Sequence, residues 1–68
     1  MRLILNGEPR ELPQGATVAD AVDASGAPES HAGVAVAVDG EVVPRGRWPR
    51  QALAEGQQVE VLQAVQGG

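Results

Sequence analysis

The 68-residue chain has no cysteine, no lysine, no phenylalanine and no tyrosine, and it carries one tryptophan and one histidine. Lack of cysteine excludes disulfides, thiolate metal sites and thiol nucleophiles. It also means that no sulfur can ride on a side chain as a persulfide. Lack of lysine excludes a Schiff base and a P-loop. It likewise speaks against a chain tagged on its own lysines to build a polymeric signal. His31 cannot hold a metal by itself. Ser25 and Ser30 have no base-and-orienter set, because His31 lies beside Ser30 on a polar loop. The catalytic inventory is therefore nearly empty, and no residue is assigned as catalytic or metal-binding. No apolar run reaches membrane-spanning length and no signal-peptide core opens the chain, so a cytoplasmic location is expected.

What is present suits one small domain. Hydrophobic residues are 43% of the chain. Eleven of them are Ala, and the core formers are ten Val, five Leu, Ile4, Met1 and Trp48. That is enough for a compact β-rich domain and too much for a disordered chain. A domain of this size buries only about 60% of its unfolded surface, which leaves little for a cleft enclosing a substrate. A chain that acts with a partner, and is a monomer alone, is expected. The net charge of −4 argues against nucleic acid and anionic membranes and fits a basic protein surface.

The order of elements can be read from turns and periodicity. Met1–Asn6 alternates, with Leu3 and Leu5 on one face; Asn6-Gly7 is a hairpin signal, and Glu8–Leu12 returns, its Pro9 suited to an edge. After the Pro13–Ala16 break, Thr17 reads as a helix N-cap with Asp20 three residues on. Val18, Ala21 and Val22 form the apolar stripe, and Gly26 and Pro28 stop the helix. Ala27–Gly33 is a polar loop. Val34–Val38 is a strand with valines on one face, Asp39-Gly40 a second hairpin turn, and Glu41–Val43 its return. Arg45–Ala54 lacks a period and is expected as loop with a short helical turn. Val59–Val65 is the last strand. The predicted fold is α+β, a β-grasp (ubiquitin-like) arrangement, with a mixed sheet of four to five strands packed on one main helix. Residues 1–65 form the domain and 66–68 a C-terminal tail.

The one feature that carries chemistry is the end, Gly67-Gly68. At this glycine content a chance Gly-Gly end has a probability of about 2%. The plain alternative is a frayed end or a linker remnant. The functional alternative makes the Gly68 carboxylate the reacting group. Residues without Cβ give the thinnest peptide for threading a narrow channel. A partner enzyme would bring the carboxylate to ATP, forming an acyl-adenylate open to a sulfur or amine nucleophile. Nothing in this chain is suited to bind ATP, so that site belongs to the partner.

Three stretches, RLILNGE at the start, VAVAVDGEVVPRGRW over Val34–Trp48 and GQQVEVLQAVQGG over Gly56–Gly68, resemble the ThiS family, the sulfur carriers of thiamine biosynthesis. The resemblance spans almost the whole chain. One departure is Asp39, where the family more often has Asn; both tolerate left-handed backbone. The resemblance implies a β-grasp fold with no cofactor bound by this chain. It implies that Gly68 is adenylated by an E1-like enzyme (ThiF-like) using ATP and Mg²⁺, then converted to a thiocarboxylate with a sulfur donor protein. It further implies sulfur delivery to a thiazole synthase (ThiG-like), with Gly67 and Gln66 as the threading tail. Two other readings stay open: a carrier like the small subunit of molybdopterin synthase, and a ubiquitin-like interaction module whose Gly-Gly is incidental.

Face assignments add a candidate docking patch. If Val59 and Val61 pack on the helix with Leu3, Leu5, Val18 and Val22, then Ile4, Leu62 and Ala64 are left on the outer sheet face near the tail. Arg45, Arg47 and Arg50 surround Trp48. A stacked or carboxylate-binding patch is one reading, and a solvated loop with Trp48 capping one end of the core is the favoured one. His31 is read as a loop residue.

Overall fold

The computed structural model describes residues 1–64. Val65 and the tail residues Gln66, Gly67 and Gly68, with the expected boundary between domain and tail, lie outside the described residues. The chain runs β1 (Arg2–Leu5), β2 (Glu8–Glu11), α1 (Val18–Ala24), β3 (Val34–Val38), β4 (Glu41–Val43), a 3₁₀ turn at Arg45–Arg47 and β5 (Gln58–Gln63).

Both hairpins follow from their turns. Asn6 and Gly7 have φ of 51° and 81°, and Asp39 and Gly40 have 49° and 86°. Positive φ at both central residues gives the tight turn whose twist matches paired strands. The five strands form one mixed sheet, ordered β2-β1-β5-β3-β4. The two hairpins do not pair with each other directly. β5 enters between them, parallel to β1 and antiparallel to β3. Pro9 sits on the β2 edge opposite Ile4.

Strand alternation sends Leu3, Leu5, Val34, Val36, Val38, Val59 and Val61 to the inner face, where they are buried against Val18, Ala21 and Val22 of α1. This is the β-grasp arrangement, with five strands and one main helix. At seven residues, α1 is too short to be stable on propensity alone. Thr17 and Asp20 form a reciprocal capping box: the Asp20 carboxylate accepts from the Thr17 N–H at 2.8 Å, and the Thr17 hydroxyl accepts from the Asp20 N–H at 3.4 Å. The next free N–H groups, of Val18 and Ala19, donate to the carbonyls of Gln51 and Trp48 at 2.9 and 3.0 Å. At the other end the Arg10 guanidinium donates to the Ala24 carbonyl at 2.7 Å, placing a cation where the helix dipole favours one.

The aperiodic segment after β4 is more than a loop. It contains the expected helical turn, and Trp48 and Leu53 both enter the core. The Trp48 indole N–H is satisfied at 2.9 Å by the Val43 carbonyl. Ala52 bridges Thr17, and the Leu53 N–H donates to the Ala16 carbonyl at 2.9 Å. Among the described residues no helix is long and apolar enough to cross a membrane.

Candidate functional site

The outer sheet face is set by register. Valines of β3 point inward, so Ala35 and Ala37 point out. Leu62 lies opposite Ala35, Glu60 opposite Ala37, and Val42 opposite Ala37 on the far side. Leu62 is 62% exposed and Val42 76% exposed, the largest open apolar side chains among the described residues. An apolar stripe thus runs from Leu62 through Ala35 and Ala37 to Val42, bordered by Glu60.

Of the sequence-predicted patch, Leu62 and Ala64 lie together where the chain leaves β5, and both are exposed. Ile4 is half-buried and pairs with Gln58. Gln58 is two same-face steps, about 13 Å, from Leu62, so the register separates Ile4 from the other two residues. Val42, which the sequence reading left out, lies on the same outer face and is joined to Leu62 only through Ala37 and Ala35 of β3. Its signal was present: alternation from the Asp39-Gly40 turn puts Val42 and Val43 on opposite faces.

β5 is held by both hairpin turns. The Asn6 side-chain carbonyl accepts from the Val61 N–H at 2.7 Å, and the Asp39 carboxylate accepts from the Gln58 N–H at 2.9 Å. The Ala64 N–H, just past the strand, donates to the Gly33 carbonyl at 2.9 Å. The end of the described chain is therefore ordered one residue beyond β5.

Trp48 caps the core as expected, and Arg45 also stacks on it. The guanidinium carbon is 5.3 Å from the ring centroid. Arg47 and Arg50 stay exposed. His31 is more than a loop residue: its ring meets Trp48 edge-on at 5.5 Å, and its Nε2 is 3.4 Å from the Asp23 carboxylate. Among the described residues, a larger and a smaller open hollow lie by the sheet ends. The larger, about 300 Å³, lies by Asp39, Arg47 and Gln57. The smaller, about 100 Å³, lies by Asn6, Ser25 and Gln63 at the end where the chain leaves β5. Among the described residues no His, Asp and Glu gather into a metal-binding group.

A sequence profile of the ThiS family matches residues 3–68. The chain belongs to the ThiS family. Over all 68 residues it is 26% identical to the sulfur carrier protein ThiS of Escherichia coli (strain K12), and both chains are covered completely. The crystal structure of the thiamine biosynthesis protein ThiS from Geobacter metallireducens superposes with a TM-score of 0.79 at 27% identity, again over the whole of both chains. SAMP1 from Haloferax volcanii shares the fold, with a TM-score of 0.58 at 19% identity over 98% of this chain and 97% of that one. The ThiS match extends through Gly68 and so includes the Gly-Gly end.

Proposed function

We propose that this chain is a sulfur carrier, a substrate protein acted on by other enzymes, and that its cargo rides on the carboxylate of Gly68. The observation that carries this reading is a ThiS-family match running unbroken from β1 to the Gly-Gly end. Composition supports it, since a chain with no cysteine has only its terminus to offer sulfur.

The chemistry is that of acyl activation. An oxygen of the Gly68 carboxylate attacks the α-phosphorus of ATP, and diphosphate leaves. The acyl-adenylate is then attacked at its carbonyl carbon by a sulfur nucleophile at the sulfide level from the donor protein. AMP leaves, and a thiocarboxylate remains. ATP and Mg²⁺ are held by a ThiF-like adenylating enzyme, and the sulfur passes on to a ThiG-like thiazole synthase. Gln66 and Gly67 supply the slender approach to the reacting carbon. Leu62 and Ala64, extended by Ala35 and Val42, form the docking face, with Ile4 as an outlying point. Their exposure on the side away from α1 supports this role.

The test is the intact mass of the chain after incubation with ATP, Mg²⁺, a sulfur source and the adenylating enzyme. The expected result is the increment for one oxygen replaced by sulfur, placed on Gly68 by fragmentation. An unchanged mass, with an enzyme active on its own carrier, would overturn the proposal. Leu62→Asp should keep stability within about 0.5 kcal/mol and weaken binding to the adenylating enzyme about tenfold. Unchanged affinity in a titration would remove Leu62 from the docking face.

A further inference from the structure

The loop between α1 and β3 is built unlike an ordinary connector. Glu29, Ser30 and Ala32 are exposed, and polar surface loops of this kind are normally free to move. His31 between them is fixed. Its backbone is left-handed, with φ of 56°, which costs a residue with a Cβ about 1 kcal/mol. Its N–H donates to the Pro28 carbonyl at 2.8 Å, and its carbonyl accepts from the Val34 N–H at 3.2 Å. The same carbonyl accepts from the Arg45 guanidinium. Arg45 in turn lies over Trp48, which is buried and tied to β4 through its indole N–H. The His31 ring closes the set against the edge of Trp48 and toward Asp23 of α1. One half-buried loop residue is thus held to the core by stacking, ring packing and hydrogen bonds.

The held loop delivers one group outward, the Gly33 carbonyl, to the Ala64 N–H at 2.9 Å. The fit there is close. Gly33 has φ of 70°, and a Cβ on it would sit 3.3 Å from the Ala64 carbonyl oxygen. Ala64 lies four residues before Gly68.

We propose that this loop is a clamp on the root of the C-terminal tail, and that Arg45 and His31 are positioning residues for the modification of Gly68. The purpose of the clamp rests on the carrier reading above. With Ala64 fixed, the Gly68 carboxylate is confined within about 14 Å of a known point. With Ala64 released, the partner must order an additional backbone residue before the carboxylate reaches ATP. Ordering one residue corresponds to about a tenfold penalty. Docking through the Leu62 face precedes that step and does not depend on it. The penalty therefore falls on kcat and leaves KM for the carrier unchanged.

The test compares the wild-type chain with Arg45→Ala, which removes the link from the Trp48 face to the His31 carbonyl and leaves the ring contact. A second variant, Gly33→Ala, crowds Ala64 and leaves the Arg45–Trp48–His31 set intact. Amide hydrogen exchange is read on the free chain, and adenylation kinetics on the chain with its enzyme. Both variants should speed exchange at Ala64 about tenfold relative to Val36 and Val59. Both should lower kcat five- to tenfold with KM within twofold. Thr17→Ala, which weakens the helix cap on a different element, should leave kcat alone at a temperature where it stays folded.

Exchange at Ala64 that is unchanged, or that rises equally across the core, overturns the clamp. Selective exchange with normal kcat overturns the positioning role. A wild-type chain never modified on Gly68 overturns the carrier reading and the positioning role with it, while the exchange result still judges the clamp on its own.

Discussion

The two hairpins of this sheet use the same turn and put it to different use. Asn6-Gly7 and Asp39-Gly40 have nearly the same left-handed backbone. Each turn sends a side-chain oxygen to an N–H of β5. The Asp39 bond reaches Gln58 at the exposed beginning of the strand, beside a backbone bond from the Asp39 N–H to the Gln58 carbonyl at 2.8 Å. The Asn6 bond reaches Val61 in a half-buried place, where β1 has already ended. There the side chain replaces a missing strand residue and prolongs support of β5 toward the tail. A turn chosen for its backbone thus supplies a second, long-range interaction, and surroundings decide how much that interaction contributes.

Substitutions can separate the two contributions. Asn6→Ala should have the largest effect, a loss of about 2–3 kcal/mol, because the Val61 N–H loses its acceptor away from water and Ala resists left-handed φ. Equilibrium urea denaturation would read it, and a loss below 1 kcal/mol would refute the strand-replacing role. Asp39→Ala should cost less, about 1–1.5 kcal/mol, since water reaches the Gln58 N–H. If the two variants prove equal, burial is not what distinguishes the turns. Gly7→Ala and Gly40→Ala should each cost about 1 kcal/mol, equally, because an added Cβ meets nothing within 4 Å at either site. Unequal melting temperatures would point to unequal backbone strain. The smallest change is expected for Asp39→Asn, within about 0.5 kcal/mol, as Asn keeps both the acceptor and the tolerance for the turn.

The same contrast marks what could be read before the structure. Both turns, the Thr17–Asp20 box and the alternating valines were legible because each is a local pattern with a local cause. The bonds from Asn6 and Asp39 to β5 were not, since they join residues 55 and 19 positions apart. Trp48 was expected as a cap on the core, but Leu53 was missed. Its segment has no period of its own, and its burial depends on the start of α1 offering Ala16 and Thr17 as partners. His31 passed as a plain loop residue because its neighbours in space, Asp23, Arg45 and Trp48, are all distant in sequence. At the candidate site the outward exposure of Leu62 was legible from strand alternation alone. The distance between Ile4 and Leu62 was not, because it depends on the parallel register of β1 with β5.

The position of β5 has a consequence for synthesis. The two hairpins that precede it bury their inner faces only when β5 lies between them, and an isolated two-stranded hairpin is marginal in water. A nascent chain therefore holds no complete sheet until Gln58–Gln63 has been made. A product cut short before Gln58 would lack the strand that joins the halves, and it would stay open to proteolysis. Folding is thus gated by the strand that comes last in chain order, after both hairpins and the helix.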